Sequence, residues 1–222
     1  MSALVIAVHP DDETLGAGGT LLKHLARGEE VHWLIVTAAK APGVPDSVYQ
    51  QQKEQVERAN TAYPFSSMTW PGLPATLLET LPLTDLIAPI EAAVKALRPE
   101  TVYLPNRSDV HSDHRVVFDA CQAVFKAFYM RERGVRRVLM MEVASETEAA
   151  PPFAENAFLP NVYEDITEHL ERKLEIMALY EAEVHPDPLP RSLSMLRAQA
   201  RVRGAAVSVA YAEAFQLVRE IR

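Results

Sequence analysis

Near the N-terminus the run Leu4-Val5-Ile6-Ala7-Val8 stops abruptly at His9-Pro10-Asp11-Asp12-Glu13. Consecutive apolar residues bounded by a proline fit a strand covered on both faces, as in a parallel sheet between helices; a strand with one wet face would alternate. The imidazole and carboxylates that follow then stand at the strand's C-terminal end, where open α/β sheets bind their ligands. Similar apolar runs predict strands over Val31 to Val36, Thr101 to Leu104 and Val138 to Val143, with a shorter one at Ser66 to Trp70. Between them, helical spacing recurs. Leu21, Leu22 and Leu25 share a face in a helix from Thr20, a candidate cap, to Arg27, where Gly28 stops it. Asp46 or Ser47 can open a polar helix to about Asn60. From Thr84, Leu86, Ile87, Ile90, Val94 and Leu97 mark another, with Pro89 in its first turn or kinking it. Beyond His114, one face runs from Val116 and Val117 through Ala120, Cys121, Val124 and Phe125 to Phe128. Strands alternating with helices predict an α/β fold: a Rossmann-like three-layer sandwich with a mostly parallel sheet, one domain over residues 1–222.

A second polar cluster, Asp109-Val110-His111-Ser112-Asp113-His114, follows the predicted strand Thr101 to Leu104. Two such clusters on two strand ends can converge on one crevice. His9 and Asp12 are donor types that Zn²⁺ takes together. His111 and His114, three apart, can face one side if the loop has entered its first helical turn. The bland reading makes His9 a hydrogen-bonded core residue, Asp11 and Asp12 helix caps, and the later histidines solvated loop residues. The residues alone leave both readings open. Gly16, Gly18 and Gly19 lack the GxGxxG spacing of a dinucleotide site, so tight turning and close helix-to-strand packing explain them better.

A net charge of −8 without a basic run argues against nucleic acid or an anionic membrane as the main partner and favours a small-molecule substrate. The single cysteine, Cys121, sits among apolar residues and reads as core. No stretch reaches transmembrane length and the N-terminal apolar run is too short for a signal peptide, so a cytoplasmic protein without stable membrane insertion is expected. A homo-oligomer is left open.

In the C-terminal third, Ser145 to Pro160 is an acidic, proline-containing loop long enough to be a lid or rim. Thr167 is a candidate cap for a helix that turns Leu170, Leu174, Met177 and Tyr180 inward. His185 to Arg191 is a proline-rich turn, Ser192 opens a helix to Arg203 that Gly204 ends, and Val207 to Ile221 fits either strand or helix. Arg191 is a candidate for an anionic group of the substrate, against the plainer reading of a surface arginine.

The pair HPDDE, followed by a glycine-rich helix start, and HSDH downstream resembles the LmbE/PIG-L family of zinc-dependent N-deacetylases acting on N-acetylglucosamine-type sugars. The resemblance implies that His9, Asp12 and His114 bind Zn²⁺ and that Asp11 is the general base that takes a proton from the attacking water. It further implies that His111, protonated, stabilises the oxyanion, and that Asp113 orients His111 and keeps it charged. Glu13 belongs to the motif with a supporting or capping role. Where the family often has an Arg three residues before a Glu, this chain has Gln51 before Glu54; where a glycine often follows the second strand's Thr, Thr37 is followed by Ala38, Ala39 and Lys40. The substrate so implied is a small N-acetylated amino sugar or its conjugate. Two other functions compete: a sugar-binding homologue without turnover, and an aspartate-dependent phosphatase using Mg²⁺, which leaves the three histidines without a task.

Overall fold

The computed structural model describes residues 1–222. Nine strands and seven α-helices follow one another as β1 (Ser2–Ala7), α1 (Asp12–Ala26), β2 (Glu30–Ile35), β3 (Thr37–Ala38), α2 (Asp46–Ala62), β4 (Ser67–Thr69), β5 (Leu73–Pro74), α3 (Leu83–Leu97), β6 (Thr101–Leu104), α4 (Ser112–Val124), α5 (Ala127–Met130), β7 (Arg137–Met141), β8 (Val162–Asp165), α6 (Leu170–Met177), α7 (Leu193–Ala205) and β9 (Ala212–Glu220). Seven strands form one sheet in the order β4-β2-β1-β6-β7-β9-β8. The first five in that order are mutually parallel, and β9 runs antiparallel to both β7 and β8. β3 and β5 pair separately.

The apolar run of β1 is buried on both faces because it feeds two cores. Ala3, Val5 and Ala7 pack with α1, α2, α6 and α7, whereas Leu4, Ile6 and Val8 pack with α3 and α4. Each fully buried Leu or Ile contributes about 1.5–3 kcal/mol, so this strand's position at the centre of the sheet is strongly determined. The crossover from β1 through β2 and β4 fills one side of β1, and β6 and β7 fill the other. The strand order therefore reverses between β1 and β6, and the loops leaving these two strands open a crevice between them.

Several elements depart from the expectations. α1 begins at Asp12, eight residues before the expected cap at Thr20, and the glycines lie inside it. They serve close approach and not turning: a Cβ on Gly16 would come within 2.8 Å of Met141 Cβ, and one on Gly19 within 2.7 Å of Ile166 Cβ. Pro45, not Asp46 or Ser47, precedes α2 as its cap residue. Pro89 sits in the second turn of α3, where the carbonyl it leaves without a helical donor belongs to exposed Asp85. The helix after His114 ends at Val124, so Phe128 falls in α5 and is 72% exposed instead of completing the buried face. His169, not Thr167, precedes α6, and Gly204 lies within α7. Cys121 is buried in the core as expected. No helix is long and apolar enough to cross a membrane.

Candidate metal centre and its clamp

The turn between β1 and α1 is strained. Asp11 adopts φ 113°, ψ −27°, a conformation that non-glycine residues hold only when the surroundings impose it. Its carbonyl accepts the N–H groups of Thr14 (2.9 Å) and Leu15 (2.8 Å), which starts the helix. Its own N–H donates to Glu13 Oε2 at 3.1 Å. Glu13 is buried and accepts the hydroxyls of Thr14 (2.6 Å) and Tyr180 (2.8 Å) on its other oxygen. Burial pushes the Glu13 carboxyl up to about 7 despite these donors. Its supporting role thus becomes concrete: it pins the backbone of Asp11.

That twist sends the neighbouring aspartates to different partners. Asp12 Oδ2 folds back to accept the N–H groups of Val8 (2.9 Å) and His9 (2.8 Å) and faces the histidines. Burial opposes ionisation of Asp12, but His114 and His9 outweigh it and hold the carboxyl below its usual range. Asp11 instead meets the Arg191 guanidinium at 2.9 Å. There burial dominates and pushes the carboxyl well up, with Arg191 pulling against it.

The loop after β6 brings the second cluster alongside. His114 is fully buried and its Nδ1 lies 2.9 Å from Asp109 Oδ2. Asp109 is fixed in turn by Asn106 Nδ2 (3.0 Å) and Thr147 Oγ1 (2.8 Å) on its other oxygen. His9 Nε2 lies 3.1 Å from Asp113 Oδ2. Each imidazole therefore donates its outer N–H to a buried aspartate, and the inner nitrogens, His9 Nδ1 and His114 Nε2, are left with lone pairs facing each other across 3.3 Å. Asp12 Oδ2 stands 3.9 Å from the first and 3.4 Å from the second.

Two lone pairs and a carboxylate at such range repel unless positive charge lies between them. Four-coordinate zinc with nitrogen and oxygen donors at about 2.0–2.1 Å sets neighbouring donors about 3.3–3.4 Å apart, which the His9–His114 and Asp12–His114 separations match and the 3.9 Å from Asp12 to His9 exceeds. Asp12 Oδ1 is buried with no hydrogen-bond partner, an unfavourable state that a cation would relieve. Burial disfavours charge on His114, yet Asp12 and Asp109 outweigh it and hold the imidazole up to about 9. The cluster thus attracts a proton where a divalent ion would fit. A second donor group, His9 with His111 and Asp113, also lies within reach of one point. Asp113, however, is already engaged: besides His9, it accepts the N–H groups of Thr76 (2.7 Å) and Leu78 (3.2 Å).

Two expected roles change. Asp113 does not orient His111 through its carboxylate, which holds His9. Only the Asp113 backbone touches His111, donating its N–H to His111 Nδ1 at 3.1 Å and capping α4. An acceptor Nδ1 makes His111 neutral with its proton on Nε2. Burial, followed by neighbouring His9, lowers its proton affinity further. Arg191, expected to meet a substrate anion, is surrounded by Asp11, Glu183 Oε2 (2.7 Å), Glu146 Oε1 (3.1 Å) and Ser145 Oγ (2.7 Å). Its guanidinium is committed to carboxylates of the protein. Asp109, counted in the second polar cluster, and Tyr180, placed on an inward helix face, were given no role at the site by the sequence, and Thr147 was not singled out. Asp109 carried one signal, a carboxylate five residues before His114 in the same loop.

Comparison with known proteins identifies the family and the fold. The family model described as PIG-L, GlcNAc-PI de-N-acetylase, matches residues 4–125, which contain both clusters. A Bacillus anthracis protein described as a probable N-acetyl-alpha-D-glucosaminyl L-malate deacetylase 2 is 23% identical over 184 residues, 78% of this chain and 77% of its own length. The structure of N,N'-diacetylchitobiose deacetylase from Pyrococcus horikoshii is similar with a TM-score of 0.76 at 20% identity, covering 98% of this chain and 84% of that one. So is GalB, a 4-carboxy-2-hydroxymuconate hydratase from Pseudomonas putida KT2440, with a TM-score of 0.73 at 17% identity, covering 100% and 97%. Likeness at these identities establishes the fold, and the hydratase warns that the fold alone does not carry the reaction.

Proposed function

The chain belongs to the PIG-L/LmbE family of deacetylases, which are amidohydrolases, and on that premise we propose that it removes the N-acetyl group from an N-acetylglucosamine-containing small molecule or sugar conjugate, releasing acetate and a free amine. The observation that carries the proposal is the pair of inward-facing imidazole nitrogens 3.3 Å apart beside the Asp12 carboxylate. His9, Asp12 and His114 would hold zinc. A bound zinc ion supplies Lewis-acid polarisation of a carbonyl and acidifies water.

The chain's own residues supply the rest. Asp113 and Asp109 fix the tautomers of His9 and His114 so that each presents a lone pair. Asp11 is the general base: burial raises its proton affinity towards the working range, which suits a group that must take a proton and return it to the departing amine. Arg191 and Glu13 keep that carboxylate aimed, one from its oxygen and the other from its backbone. His111, neutral and carrying its proton on Nε2, is a donor for the developing oxyanion. This needs no charged imidazole, so Asp113 is free to serve His9.

A phosphatase would leave the paired Asp–His contacts without purpose. Incubation with N-acetylglucosamine conjugates, with and without chelator, tests the proposal. Chelator-sensitive amine release supports it. Binding without release, or release of phosphate from esters with Mg²⁺ alone, overturns it.

A further inference from the structure

The deacetylase reading leaves a neighbouring group of side chains without a task. Lys40, in the stretch where this chain lacks the family's usual glycine, extends from the end of β3 over the ring of Tyr49, its Nζ 4.6 Å from the ring centroid. Its ammonium is exposed and has no carboxylate within ion-pair distance, although acidic residues outnumber basic ones 30 to 22. Tyr49, on α2, lies 6.0 Å from half-buried Trp70 with the rings inclined at 57°. Gly72, at φ +67°, lets the chain pass beneath the lysine; a Cβ there would stand 3.2 Å from Lys40 Nζ.

Hydrogen bonds tie these residues to the backbone of the loop that carries His9. The Trp70 indole N–H donates to the Thr37 carbonyl at 2.8 Å. Thr37 donates both its N–H (3.0 Å) and its hydroxyl (2.8 Å) to the carbonyl of Val8, the residue before His9. The loop carrying Lys40 is tied down by the Ala39 N–H donating to Gln52 Oε1 at 2.8 Å. On the other side, β5 leads from Gly72 to Thr76, whose N–H holds Asp113. Trp70 is thus two hydrogen bonds, through Thr37, from the backbone of the ligand loop on one side and six residues from Thr76, Asp113's partner, on the other.

We propose that Lys40, Tyr49 and Trp70 form an aglycone subsite, which accepts a ring carrying a negatively charged group attached to the amino sugar; this rests on the deacetylase reading above. Trp70 supplies a flat apolar face for the ring. Lys40 meets the anion, the task Arg191 cannot perform while three carboxylates hold it. Tyr49 keeps the ammonium in place through its π face.

The test uses glucosamine, its phenyl glycoside and its 4-carboxyphenyl glycoside, none of which can be deacetylated, titrated calorimetrically into the intact protein. The phenyl glycoside should bind roughly three to ten times more tightly than glucosamine, and the carboxyphenyl glycoside roughly two to five times more tightly again. The second step should fade as salt is raised. Lys40→Met should remove the carboxylate step alone, Trp70→Leu the phenyl step, and Tyr49→Leu should shrink the carboxylate step. Equal affinity for all three ligands in the wild-type protein, or an undiminished carboxylate preference in Lys40→Met, overturns the subsite. Amine release from N-acetylglucosamine conjugates with no such ladder sinks the subsite alone, whereas the ladder without amine release sinks the deacetylase reading alone.

Discussion

The two parts of the chain on either side of residue 125 contribute to the site in different ways. Residues 4–125, the part the family model matches, carry every atom proposed to touch metal or substrate: His9, Asp11, Asp12, His111 and His114, with Lys40 and Trp70 at the proposed aglycone subsite. Residues beyond 125 carry none of these, yet they hold them. Arg191 grips Asp11, Tyr180 donates to Glu13, and Thr147 donates to Asp109. Glu213 accepts the N–H groups of Gly19 (2.9 Å) and Thr20 (2.8 Å) in α1, while its partner Lys173 donates to the carbonyl of Leu15. Chemistry is concentrated in the N-terminal part and aim in the C-terminal part. A site whose reacting groups must be placed to a fraction of an ångström needs both.

Removing the ion should erase the distinction altogether. Chelation is expected to abolish amine release and zinc to restore it, and His114→Ala should lose stoichiometric zinc; full zinc occupancy in that variant would take His114 out of the ligand set. Next in size, Asp11→Asn should lose about two to four powers of ten in rate while metal analysis still finds zinc. Loss of zinc there, with retention in Asp12→Ala, would exchange the two roles. In the C-terminal part, Lys173→Met strands the buried Glu213 carboxylate and should reduce stability by about 3–5 kcal/mol. A urea midpoint unchanged from wild type would show that the pair does not anchor α1. His111→Ala should keep zinc and slow turnover by about two to three powers of ten, as for loss of one oxyanion donor. The smallest effect sharpens the comparison most: Arg191→Met should lower kcat by about ten- to a hundredfold, as outer partners of a site do, and leave KM nearly unchanged. A rise in KM confined to anionic substrates would return Arg191 to substrate binding.

Much of the N-terminal part was legible because its signals are local. β6 lies where the apolar run Thr101 to Leu104 predicts it, and β1 and β2 differ from expectation by no more than two residues at either end. The start of α1 was not legible for a physical reason. Gly16, Gly18 and Gly19 discourage helix in isolation, and only contact with Met141, Tyr63 and Ile166 shows why no side chain can stand there. β9 stayed ambiguous since Ala212, Glu213, Ala214 and Phe215 are all buried, so no alternation marks them as a strand, and Glu213 is tolerated only through Lys173. Asp11, the partner through which Arg191 meets the site, lies 180 residues away in sequence; no spacing rule reaches that far. The aspartate–histidine contacts hid for the opposite reason. Asp113 and His111 are near neighbours, and nothing local reveals that the carboxylate turns to His9.

The strand order has a consequence in time. β9 is inserted between β7 and β8, so β8 pairs only with a strand that follows it in the chain after α6 and α7. In a chain synthesised from its N-terminus, β8 emerges without its neighbour, and the sheet stays open at that edge until the segment after α7 arrives. Both histidine-bearing loops have left the ribosome well before then. The arrival of Glu213 on the N–H groups of Gly19 and Thr20 then ties α1 to the last strand and closes the assembly.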